Sequence, residues 1–289
     1  MVDGKMAQRV LKIVRLGPRD KVDIWRQLQL EEGLHRSKSS IEDAGVPGSG
    51  TGWVVLNHPQ SFQEASIVLG FSGKIPKLVN EPERKRQNVP MIRRYTGGGT
   101  VIVDENTVFI SMLLGKDLVP NVDPFPRPIM SWSGEFYSRV LNDRLGVKGF
   151  SLRADDYVVD NVKIAGNAQA ISGKRWVHHT SFLWDYSSER MKVLSLPEKQ
   201  PEYRANRDHD SFLRRMKEIF PPSFPPGQDP VLGPATFLDA VESELTEYFT
   251  KQGVHVEQGT VAQLERILEA NPERRQVTRF EEPVDASSA

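Results

Sequence analysis

No cysteine occurs among the 289 residues. A disulfide, a thiolate metal site and a thiol nucleophile are therefore excluded. No apolar run approaches the roughly 18 residues of a membrane-spanning helix. The N-terminal residues show no secretory h-region. Net charge is also lacking, with 38 Lys plus Arg against 38 Asp plus Glu. A chain so balanced is not a general polyanion binder. Local clusters at Arg84-Lys85-Arg86 and Arg214-Arg215 read as solvated helix faces. A chain of 289 residues can bury a full core in one large domain, with room for an appendage.

Two segments carry most of the information. The first is Arg93-Arg94-Tyr95-Thr96-Gly97-Gly98-Gly99-Thr100-Val101. Three glycines without Cβ atoms let the backbone take positive φ and let a ligand approach closely. Successive amide N–H groups in such a turn form a concave anion site. Arg93 and Arg94 stand at its entrance, and in a strand they face opposite ways, so one of the two lines the pocket. Arginine suits a carboxylate or phosphate because its planar fork donates two hydrogen bonds. The same residues are compatible with a glycine-rich hairpin flanked by solvated arginines.

The second segment is Lys163-Ile164-Ala165-Gly166-Asn167-Ala168-Gln169, which follows the strand-like Tyr157-Val158-Val159 across a tight Asp160-Asn161 turn. A lysine there is a point charge on a flexible stem, able to reach a carbonyl and a phosphate oxygen together. On spacing alone an exposed hairpin lysine is the better reading. The pair His178-His179 invites a metal reading, but neighbouring strand residues diverge and no third ligand has helpful spacing. One histidine is expected under the lysine loop and the other on the sheet surface. Tyr203-Arg204, Arg207 and His209 form a polar stretch that reads as a solvated turn or as one side of an acceptor surface.

Hydrophobic patterning predicts strands at 11–16, 53–56, 66–69, 91–95, 100–103 and 108–113, and further strand pairs around Lys163 ending near 186. It predicts helices at 20–37, 129–145, 207–219, 235–252 and 260–270. Segment 38–51 reads as a loop, 74–90 as charged and mobile, 221–234 as a Pro/Gly linker and 272–289 as disordered. The pattern implies an α+β domain, a mixed β-sheet with packed helices.

The motifs resemble the lipoate–protein ligase A type of the biotin/lipoate A/B protein ligase and lipoyl/octanoyl transferase superfamily. Arg93–Val101 is similar to its Arg-Arg-x-(Ser/Thr)-Gly-Gly-Gly-(Ala/Thr)-Val. Asp155-Asp156-Tyr157-Val158-Val159 is similar to Asn-Asp-Leu-Val-Val, and Lys163–Gln169 to Lys-(Ile/Val)-(Ser/Ala)-Gly-(Asn/Ser)-Ala-Gln. Val177-His178-His179-Thr180-Ser181-Phe182-Leu183 is similar to x-His-His-Gly-Thr-Leu-Leu, and Glu31-Glu32 matches a pair in the first helix.

The resemblance implies a class II synthetase-like catalytic fold and a two-step, ATP-dependent ligation. Lipoate or octanoate is activated as acyl-AMP and then passed to a lysine of a lipoyl domain. In these terms Lys163 is the catalytic residue. Arg93, Arg94, Gly97, Gly98, Gly99, Thr100, Gly166, Asn167 and Ala168 bind the acyl-adenylate or ATP. Asp155 or Asp156 holds Mg²⁺, which takes one or two carboxylates plus substrate phosphates. Implied partners are lipoyl domains of 2-oxoacid dehydrogenase complexes, the glycine cleavage H protein and an accessory subunit. Nucleic acid and membrane are not among them. Those acceptors imply mitochondria for a eukaryotic member, while residues 1–19 leave little to cleave as a transit peptide.

Several departures qualify the match. The family's Gly-Arg-x-Gln-Asn near the acyl pocket is replaced by Gly70-Phe71-Ser72-Gly73-Lys74, and its strand-end His-Asp by Val103-Asp104. Without cysteine, the thioester route of the carrier-dependent acyltransferases is closed. A catalytic domain is expected over 1–252, with 253–289 a short helix and disordered tail in place of an accessory domain. Open alternatives are a cysteine-independent lipoyl transferase and a non-catalytic lipoyl-domain binding protein.

Overall fold

Apolar runs become strands, and two proline-led segments become the long helices that cover them. The computed structural model describes residues 8–20, 22–37, 50–196, 200–220, 233–270 and 276–281. In chain order the first half has β1 (Val10–Leu16), α1 (Ile24–Arg36), β2 (Thr51–Asn57), β3 (Ser66–Leu69), α2 (Ile75–Leu78), α3 (Glu81–Gln87), β4 (Met91–Arg93), β5 (Val101–Val103) and β6 (Thr107–Gly115). Then come α4 (Pro126–Ser138), β7 (Phe150–Arg153), β8 (Asp156–Val159), β9 (Val162–Ser172), β10 (Arg175–Leu183), α5 (Ser188–Met191) and α6 (His209–Phe212). Last are α7 (Pro234–Lys251), β11 (His255–Gln258), α8 (Val261–Glu269) and β12 (Arg279–Glu281).

Eight strands form the main sheet in the order β11-β1-β2-β6-β10-β9-β8-β7. β1 runs parallel to β2 and β11, and the other pairs are antiparallel. β12, β4, β3 and β5 form a second, four-stranded sheet. β6 is buried along its whole length, as a strand covered on both faces must be. One face packs Phe136 and Tyr137 of α4 with Phe237 and Leu245 of α7. The other carries Leu30 and Leu34 of α1 with Leu264 and Ile267 of α8. This is the mixed α+β architecture that the patterning implied.

The structure departs from the sequence reading in three places. Segment 74–90 holds two ordered helices, and Arg84 is buried rather than solvated, donating to Glu81 and to the Val89 carbonyl. Segment 207–219 is not one helix but the single turn α6 followed by a 3₁₀ turn at Met216–Glu218. Between them Leu213 bridges to Lys163 like a strand, and the Arg214 N–H donates to the Lys163 carbonyl at 2.9 Å. Tertiary pairing there overrides helical spacing.

The third departure concerns the C-terminal segment. Residues 276–281 were expected to be disordered, yet β12 pairs with β4, and Phe280 stacks on Trp25 with ring centroids 5.1 Å apart. β11 joins the edge of the main sheet, and α8 packs on α1. The loop at 38–49 and the linker at 221–232 lie outside the described residues.

Candidate functional site

The glycine segment is not a hairpin. β4 and β5 both pair with β3, one parallel and the other antiparallel, so residues 94–100 must cross the end of β3. That crossing requires close backbone approach. A Cβ on Gly70 would lie 2.2 Å from the Gly98 carbonyl oxygen. Gly98 has φ +101°, and a Cβ on it would lie 2.9 Å from the Asn167 carbonyl. The loop is laced to β9 by the Gly97 N–H, which donates to the Gln169 carbonyl at 2.8 Å.

The two arginines divide, as strand alternation requires. Arg93 donates to the carbonyls of Gly70, Phe71 and Gly73 and pairs with Glu281 of β12. Its work is structural. Arg94 is 2% exposed and donates to the carbonyls of Val68, Gly97 and Gly99. Burial lowers its pKa to about 10, so it stays charged at neutral pH. It faces a narrow crevice shared with Gly166, Asn167, Ala168 and His179.

Lys163 stands on the facing wall. Asp160 and Asn161, with φ of +50° and +65°, make the two-residue turn that starts β9. Val158 pairs with Lys163 but Tyr157 with Ala165, so Ile164 is an extra residue. Such a bulge re-aims a side chain. Lys163 Nζ lies 2.6 Å from Asp156 Oδ1. The Tyr203 hydroxyl donates to the other oxygen of Asp156 at 2.7 Å. Burial first, and then the Asp156 carboxylate, raise the Tyr203 pKa, which keeps this phenol a donor.

Lys163 and the glycine loop open onto one cleft of about 180 Å³. Gly99, Thr100, Gly166 and Ser181 line it near the lysine, while Leu78, Leu183, Met191, Leu194 and Leu213 make an apolar end. Arg204 and His209 complete the wall. Two residues of the polar stretch 203–209, Arg204 and His209, thus line the cleft. Sequence reasoning had flagged the stretch without assigning it there.

Below the loop, the Glu31-Glu32 pair splits its duties. Glu31 contacts His179 Nε2 at 2.7 Å and accepts from Gln27 at 2.8 Å. Glu32 accepts from the backbone N–H groups of Val277 and Thr278. Both histidines of the pair are buried, so neither reaches a sheet surface as expected. His178 contacts the Tyr157 hydroxyl at 2.9 Å on the opposite face of β10, and burial lowers its pKa to about 3. Among the described residues no group of three or more His, Asp or Glu is placed to hold a metal ion.

The model of the lipoyl protein ligase A/B catalytic domain matches residues 25–228. The chain belongs to that family. It is 28% identical over 240 residues to inactive lipoate–protein ligase 2 of Plasmodium falciparum, covering 68% of this chain and 62% of the relative. It is 27% identical over 133 residues to a putative lipoate-protein ligase A of Aeropyrum pernix, covering 46% of this chain and 48% of the relative. The chain thus spans about half to three fifths of the length of these relatives. Its fold is similar to that of lipoate-protein ligase A bound with ATP, with a TM-score of 0.64 at 15% identity over 91% of this chain and 93% of that one. It is also similar to a Thermoplasma acidophilum putative lipoate protein ligase with bound lipoic acid, with a TM-score of 0.63 at 14% identity over 90% of this chain and 94% of that one.

In this member of the family, the residues singled out by sequence distribute as follows. Lys163, Gly99, Thr100 and Gly166 line the cleft, and Arg94, Asn167 and Ala168 line the adjoining crevice. Arg93 is buried, Gly97 and Asp156 are half-buried and Gly98 is exposed, and none of these four lines the cleft or the crevice. Asp155 is exposed on a turn at φ +67°, and its carbonyl accepts from Asn167 at 2.7 Å.

Proposed function

We propose that this chain attaches lipoate or octanoate to a lysine of a lipoyl domain through an acyl-AMP intermediate. The observation that carries this reading is the single cleft with Lys163 on one wall, the glycine loop on the other and an apolar end beyond. The apolar end suits an acyl chain, and the Lys163 ammonium suits the acyl carbonyl and the phosphate beside it.

The chemistry follows from the charges. In the first step an acyl carboxylate oxygen bonds to the α-phosphorus of ATP, and the bond to the leaving pyrophosphate breaks. In the second, an acceptor lysine amine bonds to the acyl carbon, and AMP leaves with the electron pair of the broken C–O bond. Negative charge develops on phosphate oxygens and then on a tetrahedral oxyanion. Fixed donors aimed at those oxygens lower both barriers. Asp156 and Tyr203 hold Lys163 in place, so it need not reorganise during reaction.

Magnesium, if used, enters on the phosphates of ATP, as this ion keeps several waters and few protein ligands. Asp156 is engaged by Lys163 and Tyr203, which leaves it poorly suited to hold the ion directly. Residues 8–281 serve as one catalytic unit in this reading, because β11, α8 and β12 pack into it. The acceptor is a lipoyl domain of the 2-oxoacid dehydrogenase or glycine cleavage type.

One observation favours a second reading, in which the chain transfers a preformed acyl-adenylate and does not make it. Phe71, 57% exposed, occupies the place of the family's arginine near the acyl pocket, and one relative is itself named inactive. Two assays decide. Lipoate-dependent ATP–pyrophosphate exchange together with transfer to a lipoyl domain establishes the full ligase. Transfer only from supplied lipoyl-AMP establishes the second reading. Transfer from neither source sinks both.

A further inference from the structure

Arg204 is an unusual cation. Its side chain sits in the wall of the cleft, and the residue is only 5% exposed. Its guanidinium stacks on the Phe212 ring at 4.5 Å. Its Nε donates to the Arg207 carbonyl at 3.0 Å, and Arg207 Nε returns a bond to the Arg204 carbonyl at 3.1 Å. Ala205 and Asn206, both at positive φ, close the turn between them, and the Arg207 N–H donates to the Arg204 carbonyl at 3.0 Å. The guanidinium is therefore fixed in direction before any ligand arrives. Yet its Nη2 is buried with no hydrogen-bond partner among the described residues.

The charges in the cleft point the same way. No carboxylate lines it; the ionisable lining groups are Lys163, Arg204 and His209. Lys163 already has Asp156 at 2.6 Å. Burial, and then the charge of Arg204, lower the pKa of His209, so that imidazole is neutral at pH 7. Asp156 and Asp208 act on Arg204 only as more distant charges. The cation in this cleft without a close carboxylate is Arg204. A buried guanidinium with an unmade bond is costly unless an anion completes it.

We propose that Arg204 is a ligand-binding residue for the phosphate that joins acyl group to nucleotide, with its guanidinium donating to a phosphate oxygen in the cleft that the glycine loop also lines. The proposal rests on the acyl-adenylate reading above and adds the group that recognises its charge. It also divides the labour. Lys163, held in place by Asp156 and Tyr203, meets the charge that develops on the acyl carbonyl, while Arg204 holds the phosphate throughout.

The test is calorimetric titration of the full chain with two non-reactive ligands. One is the octyl ester of AMP, which carries the phosphate's single negative charge. The other is a neutral analogue in which a sulfamide replaces the phosphate. Arg204→Gln should weaken the charged ligand roughly 10- to 100-fold, the scale of one buried charge-assisted bond. The neutral analogue should change less, about threefold, because its sulfonyl oxygens still accept from the guanidinium but form no ion pair with it. Arg204→Lys, which keeps a cation over Phe212, should show a smaller loss with the same selectivity and serves if the glutamine variant does not fold. Equal loss for both ligands, or no loss for either, overturns the proposal. Failure of the wild-type chain to bind the octyl ester overturns the acyl-adenylate reading itself.

Discussion

The two walls of the cleft are built on different principles. The glycine loop is a backbone device. Its shape comes from Gly70 and Gly98 passing where no Cβ fits, and three carbonyls held by the buried Arg94 fix it. The facing wall is a side-chain device. Lys163, Asp156, Tyr203 and Arg204 come from two separate segments; Asp156 pairs with Lys163 and accepts from Tyr203, and Arg204 stacks on Phe212. A backbone wall fails by losing its fold, whereas a side-chain wall fails by losing chemistry. The following variants separate those failures.

Lys163→Ala should give the largest effect. Transfer of a lipoyl group from supplied lipoyl-AMP should fall roughly 100- to 1000-fold, the usual cost of removing a preorganised oxyanion donor. Melting should change little, because a partly exposed ion pair contributes about 1 kcal/mol or less. Wild-type transfer in a folded variant would remove Lys163 from the site.

On the opposite wall the damage should be to stability. Gly98→Val combines positive φ with a backbone clash, and should cost about 2–5 kcal/mol in urea unfolding. Gly99→Ala is the control, since a Cβ there meets nothing within 4 Å. It should stay within about 0.5 kcal/mol of wild type. Similar losses for both glycines would mean that the crossing is not what demands glycine.

Two buried histidines, His178 of β10 and His35 of α1, supply a pH test. Burial holds His178 and His35 at pKa values of about 3. Both are neutral in the folded and unfolded chain above pH 6.5. As pH falls from about 6.5 toward 3, the unfolded chain binds protons that the folded chain refuses, so stability falls. Each histidine contributes a slope of up to about 1.4 kcal/mol per pH unit. Urea midpoints across that window should drop, and His178→Gln should flatten the slope. An unchanged slope in that variant would mean that His178 titrates normally.

The smallest effect belongs to Tyr203→Phe. It frees one oxygen of Asp156 but leaves the Lys163 contact, so transfer should slow about 3- to 10-fold, the equivalent of one hydrogen bond. A loss as large as that of Lys163→Ala would make Tyr203 a direct participant.

The same contrast explains what the sequence disclosed. Gly97-Gly98-Gly99 is legible because backbone crossing leaves a compositional mark, whereas Lys163 stands out only through the family resemblance, since the Asp160-Asn161 turn by itself favours an exposed hairpin lysine. Fold class was legible from alternation and turn spacing. Arg204 was visible only as one charge in a polar stretch, since burial over Phe212 leaves no local pattern. The helix expected at 207–219 failed because the Leu213 bridge to Lys163 is a long-range bond. α2 and α3 were obscured by their charges, which the structure pairs as Arg84–Glu81 and Arg86–Glu83. Resemblance marked Glu31-Glu32 as a pair, but nothing local indicated that one would serve His179 and the other the C-terminal segment.

That last bond has a consequence for biogenesis. Glu32 waits 245 residues for the Val277 N–H, and Arg93 waits 188 residues for Glu281. At cellular synthesis rates, 188 residues take roughly 10–40 s. Throughout that interval the strand leading into the glycine loop is an uncovered sheet edge, and Arg93 lacks its carboxylate. Nascent chains of this protein therefore carry an open β4 edge, the kind of surface that invites pairing with another chain. Chaperone occupancy during translation should rise once β4 has emerged and fall only when residues 276–281 have left the ribosome.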